Sequence, residues 1–487
     1  MVRRAASAVI ACVVLAGCAP AIPLSPTPPK VDMPAGWAPG ETARANEWPD
    51  KHWWNRFGSA DLTRIVQQGQ ASNLELAAAL ARVRQAEAQA RIAGVALLPS
   101  VDFGTGADRS LPIGSGRSSV SASGQLQVSY EVDFWGKNKA SVASAAASLE
   151  ANRDDRQTVA LTVTSGIVST YLQVLSLHDR LDSARAHVAN AEHVLVLVQA
   201  QKSAGSASPL DLARQRSAVA GQKAAIPDLQ QQQREAQAAL AILLGRAPQS
   251  FKVGDFGLDT IELPEVAPGL PSELLSRRPD IRRAEANLAA ADADVAVARA
   301  ALFPNIRLTG ALGAQSSALL ALLNAPNLVA NVSASLMTPI FDAGRLKRQR
   351  DMAIARKHEL VQVYRATVIG ALSEVGLVLG QIRSLDEQRR LKTTELEETR
   401  LAFDLSEVRY KVGAEDLMTV LDTQRALSDV QNELGMLKLR RLQATVSLYK
   451  ALGGGWQADA VAEGAVRAEG RKDAKIVTDW LASPPTQ

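Results

Sequence analysis

The chain has 487 residues, with 54 lysines and arginines against 50 aspartates and glutamates, and only 4% of its residues are aromatic. Removing Arg3 and Arg4 with a leader leaves 52 basic and 50 acidic residues, a balance that gives no electrostatic basis for binding nucleic acid. The length permits two or three ordinary domains. The low aromatic content suits long helices packed through small side chains better than a thick globular core.

Residues 1–17 are predicted to be a lipoprotein signal peptide. Arg3 and Arg4 precede an apolar stretch, residues 5–16, that is too short to span a bilayer. The sequence Leu15-Ala16-Gly17-Cys18 is similar to a bacterial lipobox, in which the cysteine is acylated and begins the mature chain. An ordinary secretory signal with an incidental cysteine is the alternative. Cys18 is therefore the predicted lipidation site.

The residues after the lipobox indicate the destination of the mature chain. Ala19 and Pro20 follow Cys18, without the aspartate that is associated with retention at the inner membrane, so outer-membrane delivery is expected. Cys12 is lost with the leader, which leaves Cys18 alone and permits no intramolecular disulfide. Residues 18–58 are proline-rich and are predicted to form an extended arm.

The remainder of the chain is predicted to consist of two copies of one structural unit, because glycines recur at a shift of 208 residues. A Leu-Pro or Phe-Pro step recurs at a shift of 205. The predicted units are residues 59–260 and 261–456, followed by a C-terminal tail, residues 457–487. The recurring marks are Gly136 and Gly344, Gly205 and Gly413, Leu244-Gly245 and Leu452-Gly453, and Leu98-Pro99 and Phe303-Pro304.

Each unit is predicted to hold a short helix and a long helical hairpin, residues 137–245 and 343–452. The opening helices are expected from about Asp61 to Leu98 and after Pro279. Lys137 to Ala200 contains no proline, and 64 residues of helix extend about 96 Å, which is longer than a compact globule of this chain length. Apolar residues there recur with the alternating spacing of three and four that is typical of coiled coils: Leu177, Leu181, Ala184, Val188, Ala191, Leu195 and Val198.

Between the short helix and the long hairpin, each unit is predicted to form a β-hairpin, residues 100–134 and 305–341. From Val120 to Val132 apolar and polar residues alternate, and residues 328–337 repeat the pattern. Strands of about ten residues with this alternation are typical of transmembrane barrels, apolar toward lipid and polar toward a lumen. Soluble hairpins with one face on a core are the alternative.

Four strands cannot close a barrel, so the predicted membrane location requires several copies of the chain. An open sheet edge in lipid leaves backbone groups unpaired, at a cost of several kcal/mol each. These arguments leave the number of copies open, since transmembrane barrels with many different numbers of strands are known.

Four stretches of sequence resemble the outer-membrane factors of bacterial efflux pumps, the TolC and OprM-like (NodT-like) proteins. The resemblance spans nearly the whole mature chain, and the Trp53-Trp54 pair is similar to the family's opening. The most specific stretches are Leu270-Pro271-Ser272-Glu273-Leu274-Leu275 running into Arg278-Pro279-Asp280-Ile281, Ala298-Arg299-Ala300-Ala301-Leu302-Phe303-Pro304, Pro339-Ile340-Phe341-Asp342-Ala343-Gly344-Arg345, and Leu448-Tyr449-Lys450-Ala451-Leu452-Gly453-Gly454-Gly455-Trp456.

The resemblance implies an α+β membrane protein with two internal repeats. It implies a homotrimer whose twelve-stranded β-barrel, four strands per protomer, continues into a long α-helical coiled-coil barrel in the periplasm. The implied role is a passive, lipid-anchored outer-membrane duct for small toxic compounds, with multidrug resistance as a result. The implied partners are a periplasmic adaptor, an inner-membrane transporter of the RND type and outer-membrane lipid. No cofactor is implied.

The resemblance also places a gate at the periplasmic tip of the helical hairpins. It implies that Asp422 lines a constriction, that Met418 is an apolar plug one turn earlier, and that Tyr410 bonds to Asp211 of the first unit. Some family members have a basic gate residue two positions after the glycine, where this chain has Glu415. Plain core packing for Met418 and a solvated helix face for Asp422 are the alternatives.

Two other classes of protein are weighed against a channel. An enzyme is disfavoured because no two of the five histidines have the three- or four-residue spacing of a helical metal site, and no phosphate loop or nucleophile elbow is present. A lipid-anchored periplasmic coiled-coil scaffold explains the lipobox and the heptads. It does not explain the duplicated alternating strands.

Overall fold

The computed structural model describes residues 29–37, 49–111, 119–254, 256–316 and 328–455. The predicted signal peptide, the lipidation site Cys18, most of the N-terminal arm, the hairpin tips at 112–118 and 317–327, and the C-terminal tail lie outside the described residues.

The described part is mainly helical and contains one four-stranded sheet. The first half of the chain forms α1 (Ala60–Ser72), α2 (Leu74–Val95), β1 (Ser100–Ser110), β2 (Ser119–Val132), α3 (Lys137–Ser203) and α4 (Pro209–Leu243). The second half forms α5 (Pro279–Ala300), β3 (Asn305–Ser316), β4 (Leu328–Met337), α6 (Arg345–Lys411) and α7 (Leu417–Ala451), preceded by a helical turn, Leu274–Arg277.

The two long helices have the same length and the same type of start. Helices α3 and α6 are each 67 residues long, about 100 Å at 1.5 Å per residue. Each follows a glycine with positive φ, Gly136 at 73° and Gly344 at 80°. The returning helices α4 and α7 are each 35 residues long. The order of elements in the first half therefore recurs in the second half.

The first short helix differs from the sequence expectation. A single helix from Asp61 to Leu98 was predicted, but the structure ends α1 at Ser72 and begins α2 at Leu74. Asn73 is extended, with φ −66° and ψ 131°, and its side chain accepts a hydrogen bond from the Leu76 N–H. The Asn73 amide also donates to the Leu243 carbonyl at 2.8 Å. The break occurs because Asn73 caps α2 and the end of α4 together.

The largest apolar core lies where the middle of α3 packs against α1 and the C-terminal parts of α4 and α7. Trp53 is 1% exposed and stacks on Tyr449 of α7, with ring centroids 4.7 Å apart. Phe57 and Tyr171 are fully buried in the same cluster. A second core packs α5 and α6 around Tyr364 and Val368, and a third joins the two hairpins at their far ends. The packing thus connects both halves of the chain along the length of the helices.

Candidate functional site: the sheet and the helical tip

The sheet has the strand order β1-β2-β3-β4, and every neighbouring pair is antiparallel. Directly opposed residues share a face, so the register shows how side chains line up across the strands. One face is apolar along its length, because its rows contain mainly hydrophobic residues. Two of its rows are Phe103-Leu126-Leu312-Ala330 and Val101-Val128-Gly310-Val332.

The opposite face is mostly polar, which completes the alternation expected from the sequence. The Thr309 and Ser333 hydroxyls are 2.6 Å apart on this face, and Lys137 donates to Glu131 at 2.8 Å. Rows on this face are Asp102-Gln127-Ala311-Asn331, Ser100-Ser129-Thr309-Ser333 and Glu131-Arg307-Ser335. A sheet with one apolar and one polar face suits a wall between lipid and water.

Neither face of the sheet is covered by other described parts of the chain. Every residue of β1 and β4 is exposed, and Val332 at the middle of β4 is 93% exposed. Within the described ranges, the outer edges of β1 and β4 also have no neighbouring strand. Apolar side chains and open edges in this arrangement require a covering environment or further copies of the chain.

A cluster of aromatic residues joins the sheet to the helices. Trp135, in the turn between β2 and α3, stacks on Phe303 with centroids 4.6 Å apart, and its indole N–H donates to the Pro304 carbonyl at 2.8 Å. The segment after β4 has no such cover, since Ile340 is 96% exposed and Phe341 is 89% exposed. The link between strand and helix is therefore packed on one side of the protomer and open on the other.

At the opposite end of the molecule, the two helical hairpins pack against each other through a small apolar core. Val194 and Val198 of α3 and Leu212 of α4 meet Tyr410 of α6 and Val420 of α7. This cluster, which we call the tip core, lies close to the turns at Gly205 and Gly413, whose φ angles are 81° and 76°. The predicted gate residues are all close to it in sequence.

The structure does not contain the expected hydrogen bond between Tyr410 and Asp211. The Asp211 carboxylate instead accepts the Ser208 N–H at 2.9 Å and the Ser208 hydroxyl at 2.7 Å, because Asp211 closes a capping box at the start of α4. These two bonds lower the pKa of Asp211. Burial raises the pKa of the Tyr410 phenol, and the nearby charge of Asp211 adds to that rise. The two groups are thus neighbours without a direct bond.

Met418 and Asp422 lie one turn apart on α7 and are both exposed in the protomer. Met418 is 39% exposed, so the protomer itself does not bury it in a core. Leu417 and Val420, on the opposite face of the same turn, are buried in the tip core. The helix therefore presents Met418 and Asp422 away from its own hairpin, the direction that a constriction between protomers needs.

Glu415 forms an ion pair inside its own hairpin turn. Arg409 Nε donates to its carboxylate at 3.2 Å, and the Thr419 hydroxyl donates to its other oxygen at 3.2 Å. The exposed fractions of the two charged side chains are 60% and 28%, so solvent weakens the pair. The acidic residue at this position thus fixes the turn.

Sequence reasoning did not find the pair of polar caps that hold the ends of the returning helices. Arg278 is 9% exposed, and its guanidinium donates to the Ala451 carbonyl at 2.6 Å and to Glu374 and Asp280 at 2.8 Å. Asn73 makes the corresponding bond to Leu243 in the first half. The sequence contained a signal for this correspondence. Asn73 and Arg278 are 205 residues apart, and Leu243 and Ala451 are 208 residues apart, which are the two shifts that relate the first half of the chain to the second.

Among the residues that the structure describes, no group of three or more histidine, cysteine, aspartate or glutamate side chains has the arrangement of a metal site. The described features are a two-faced sheet with open edges, a pair of helical hairpins about 100 Å long and a compact tip. Together they define the class of the protein: an outer-membrane channel subunit with a long helical extension.

The comparisons identify the family. The sequence matches the outer membrane efflux protein family over residues 65–246 and 270–454. It is 44% identical over 468 residues to the pyoverdine export outer membrane protein OpmQ of Pseudomonas aeruginosa, covering 93% of this chain and 97% of that protein. It is 31% identical over 461 residues to the toluene efflux pump outer membrane protein TtgF of Pseudomonas putida, covering 91% and 95%.

The fold agrees with the sequence match. The solved structure of the outer-membrane channel OprN superimposes with a TM-score of 0.81 at 26% identity, covering 89% of this chain and 100% of that one. The chain therefore belongs to the outer membrane efflux protein family. It is the outer-membrane channel component of an efflux system, which works with adaptor proteins and inner-membrane transporters, and it is not an enzyme. This excludes the scaffold and catalytic alternatives.

Proposed function

We propose that the chain assembles as a homotrimer in which three four-stranded sheets close one twelve-stranded barrel. The two halves of the chain are the two repeats, and their helices continue the barrel as a coiled-coil tunnel through the periplasm. The observation that carries this proposal is the sheet, because its apolar and polar rows run across all four strands while both outer edges remain open. Closure with identical copies satisfies those edges.

We also propose a lipid anchor and two partners for this assembly. Acylation of Cys18 would hold the start of the mature chain at the outer membrane, and the tips of the hairpins would meet a periplasmic adaptor and an RND-type transporter. Incorporation of labelled palmitate into the wild-type chain, and its loss in Cys18→Ser, tests the anchor. Equal labelling of both proteins would contradict it.

The tip is proposed to close the tunnel at rest through Met418 and Asp422. Their exposure away from the hairpin core supports this role. Tyr410 and Asp211 are assigned supporting roles. The Tyr410 ring packs in the tip core between the two hairpins, and the Asp211 carboxylate caps the start of α4 beside it.

We propose pyoverdine as the cargo of the duct. Identity to the pyoverdine exporter is 44% over nearly the full length of both proteins, compared with 31% to the toluene pump component, and this difference supports the assignment. The test is to replace OpmQ by this chain in Pseudomonas aeruginosa and to measure pyoverdine in the medium and in the periplasm.

The expected result is pyoverdine in the medium at a level close to that given by OpmQ, with an empty vector as the negative control. If pyoverdine stays in the periplasm while tolerance to toluene rises above that of the empty-vector strain, the chain forms an export duct but pyoverdine is not its cargo. If neither returns although the chain is present in the outer membrane, the proposed function is wrong.

A further inference from the structure

The two long helices begin with basic residues at the same positions. Helix α3 has Lys137 as its first residue and Lys139 as its third, and α6 has Arg345 as its first and Lys347 as its third. Lys139 and Lys347 are thus 208 residues apart, the shift that relates these two helices. Neither helix has an acidic residue in its first turn. The helix dipole repels positive charge at this end, so the basic residues do not stabilise the helices through it.

The two basic residues of α3 lie on opposite sides of the protomer. Lys137 Nζ donates to the Glu131 carboxylate at 2.8 Å, and Glu131 belongs to the polar face of the sheet. Lys139 is two residues further along the helix, which turns its side chain by about 200° at 3.6 residues per turn. Lys139 therefore lies on the side of the apolar face of the sheet.

The lateral sides of α3 are covered within its own chain at this level. The buried Asn138 amide donates to the Ala96 carbonyl, just after α2, at 3.3 Å. The Ser144 hydroxyl donates to Asp294 of α5 at 2.6 Å. Lys139 lies between these contacts along the helix and is exposed. Its side chain therefore points outward, toward the medium that contacts the apolar face of the sheet.

Neither of the two lysines is held by a carboxylate of the described residues. Lys139 and Lys347 are both exposed, and neither forms an ion pair with another described residue. The Asp351 carboxylate, one turn from Lys347, is already paired with Arg350 at 2.8 Å and with Arg348 at 3.5 Å. Each lysine thus has an ammonium group available for an anion outside the protomer.

Aromatic side chains lie between the strands and these lysines. Phe134 follows β2, is 46% exposed and meets Trp135 edge-on at 4.8 Å, and Phe341 before α6 is 89% exposed. Aromatic rings are enriched where the hydrocarbon core of a membrane meets the headgroups. Lys139 is less than one helical turn of about 5 Å beyond the start of α3. Its ammonium group therefore falls within the headgroup layer, which is about 5–8 Å thick.

We propose that Lys139 and Lys347 bind the phosphate groups of anionic phospholipids in the periplasmic leaflet of the outer membrane. This inference rests on the proposed placement of the sheet in that membrane. In the proposed trimer, two lysines from each copy form a ring at one level around the channel. A compact ammonium charge on a flexible stem can follow a mobile headgroup, and its attraction is greatest for lipids with a net negative charge.

Quenching of Trp135 by lipids with brominated chains tests the proposal. The full-length protein is reconstituted in phosphatidylcholine bilayers with increasing fractions of phosphatidylglycerol, and either lipid carries the bromine. The chain has seven tryptophans, so the Trp135→Phe variant is needed to isolate the signal of Trp135. We expect phosphatidylglycerol to be preferred about fivefold beside Trp135, the ratio that one lysine near an anionic surface provides. High salt should reduce this preference.

Two glutamine variants identify the lysine that is responsible. Lys139→Gln should bring the two lipids close to equal quenching, whereas Lys137→Gln removes the same charge from the opposite side and should keep the preference. For the second half, Phe341→Trp in the Trp135→Phe protein provides a reporter beside Lys347. Lys347→Gln should lower the preference at that reporter.

The outcomes separate the lipid site from the membrane placement. If both lipids quench wild-type Trp135 equally, or if the preference is unchanged in Lys139→Gln and Lys347→Gln, the lipid site is wrong and the placement holds. Loss of the preference in Lys137→Gln as well would assign it to general charge and would also overturn the site. If neither brominated lipid quenches Trp135, the proposed membrane placement itself is wrong.

Discussion

Two glycines mark the positions where the returning helices meet the start of each half. At Gly245, with φ 64°, a Cβ would lie 2.3 Å from the Ser72 carbonyl oxygen. At Gly453, with φ 90°, it would lie 2.6 Å from the Arg277 carbonyl oxygen. Both positions therefore combine a left-handed backbone with a close approach of another chain segment.

We expect Gly245→Ala and Gly453→Ala each to destabilise the protein by about 2 kcal/mol, since alanine is strained at positive φ and its methyl group meets backbone. The measurement is the midpoint of thermal unfolding in detergent. Gly221→Ala is the control, because a Cβ there meets nothing within 4 Å and alanine favours a helix. Unchanged midpoints in the first two variants would contradict the close contact.

The proposed gate predicts an electrical property that depends on Asp422. Three such carboxylates about 8 Å apart would repel by about 2 kcal/mol per pair at an effective dielectric of 20, and cations between them relieve this repulsion. We expect Asp422→Ala to reduce cation selectivity and block by polyvalent cations from the periplasmic side, measured in planar bilayers. Asp228→Ala removes an equal charge from α4 and should leave both unchanged. Unaltered selectivity and block in Asp422→Ala would exclude this gate.

At the scale of elements, the two faces of β4 predict opposite responses to the same side chain. Val332 lies on the apolar face at the middle of the strand, and Asn331 lies on the polar face. Val332→Arg should cost about 2–4 kcal/mol in the membrane and lower the amount of protein in the outer membrane. Asn331→Arg should assemble normally and change the conductance. Equal assembly of both variants would show that β4 does not separate lipid from lumen.

The packing of α3 on α5 predicts a pH dependence of stability. Asp154 is 6% exposed, and burial raises its pKa to about 6, although Arg282 nearby at 3.8 Å partly offsets the rise. Because the folded pKa lies above the ordinary value of 3.8, the ionised form opposes folding above pH 6. This penalty, at most about 3 kcal/mol for a shift of about two units, decreases as the pH falls through 6 and is gone below 4.

Asp154→Asn should therefore be more stable than wild type at pH 8 and equally stable near pH 4, as measured by chemical unfolding at both values. Asp155→Asn is the adjacent control. It removes a carboxylate that pairs with Arg283 at 2.6 Å and Arg82 at 3.4 Å, so no gain is expected at pH 8. A less stable Asp154→Asn at pH 8 would mean that the attraction to Arg282 outweighs burial.

At the scale of the whole molecule, a channel and a lipid-anchored scaffold differ in what they do in a membrane. We expect the extracted protein to run as a compact trimer in unboiled electrophoresis and to conduct ions in a planar bilayer, because only a closed ring satisfies the edges of β1 and β4. Protein that is monomeric in detergent and makes no pores would contradict the trimer.

Much of the fold could be predicted from the sequence because its signals are local. The turn glycines, the long proline-free segments and the alternation in the strands each depend on neighbours within a few residues. They give the lengths of α3 and α6 and the two faces of the sheet. The motifs around Arg278 and Gly344 indicated the family, to which the comparisons assign the chain.

Contacts between distant parts of the chain were decided only by the tertiary structure. Three features depend on which polar groups meet in space. They are the helix break at Asn73, the hydrogen bond from Arg278 to the Ala451 carbonyl, and the pairing of Asp211 with Ser208 instead of Tyr410. Local periodicity fixes which face of a helix or strand is apolar. It does not determine which buried donor bonds to which acceptor, since each such hydrogen bond forms only after separate elements have packed together.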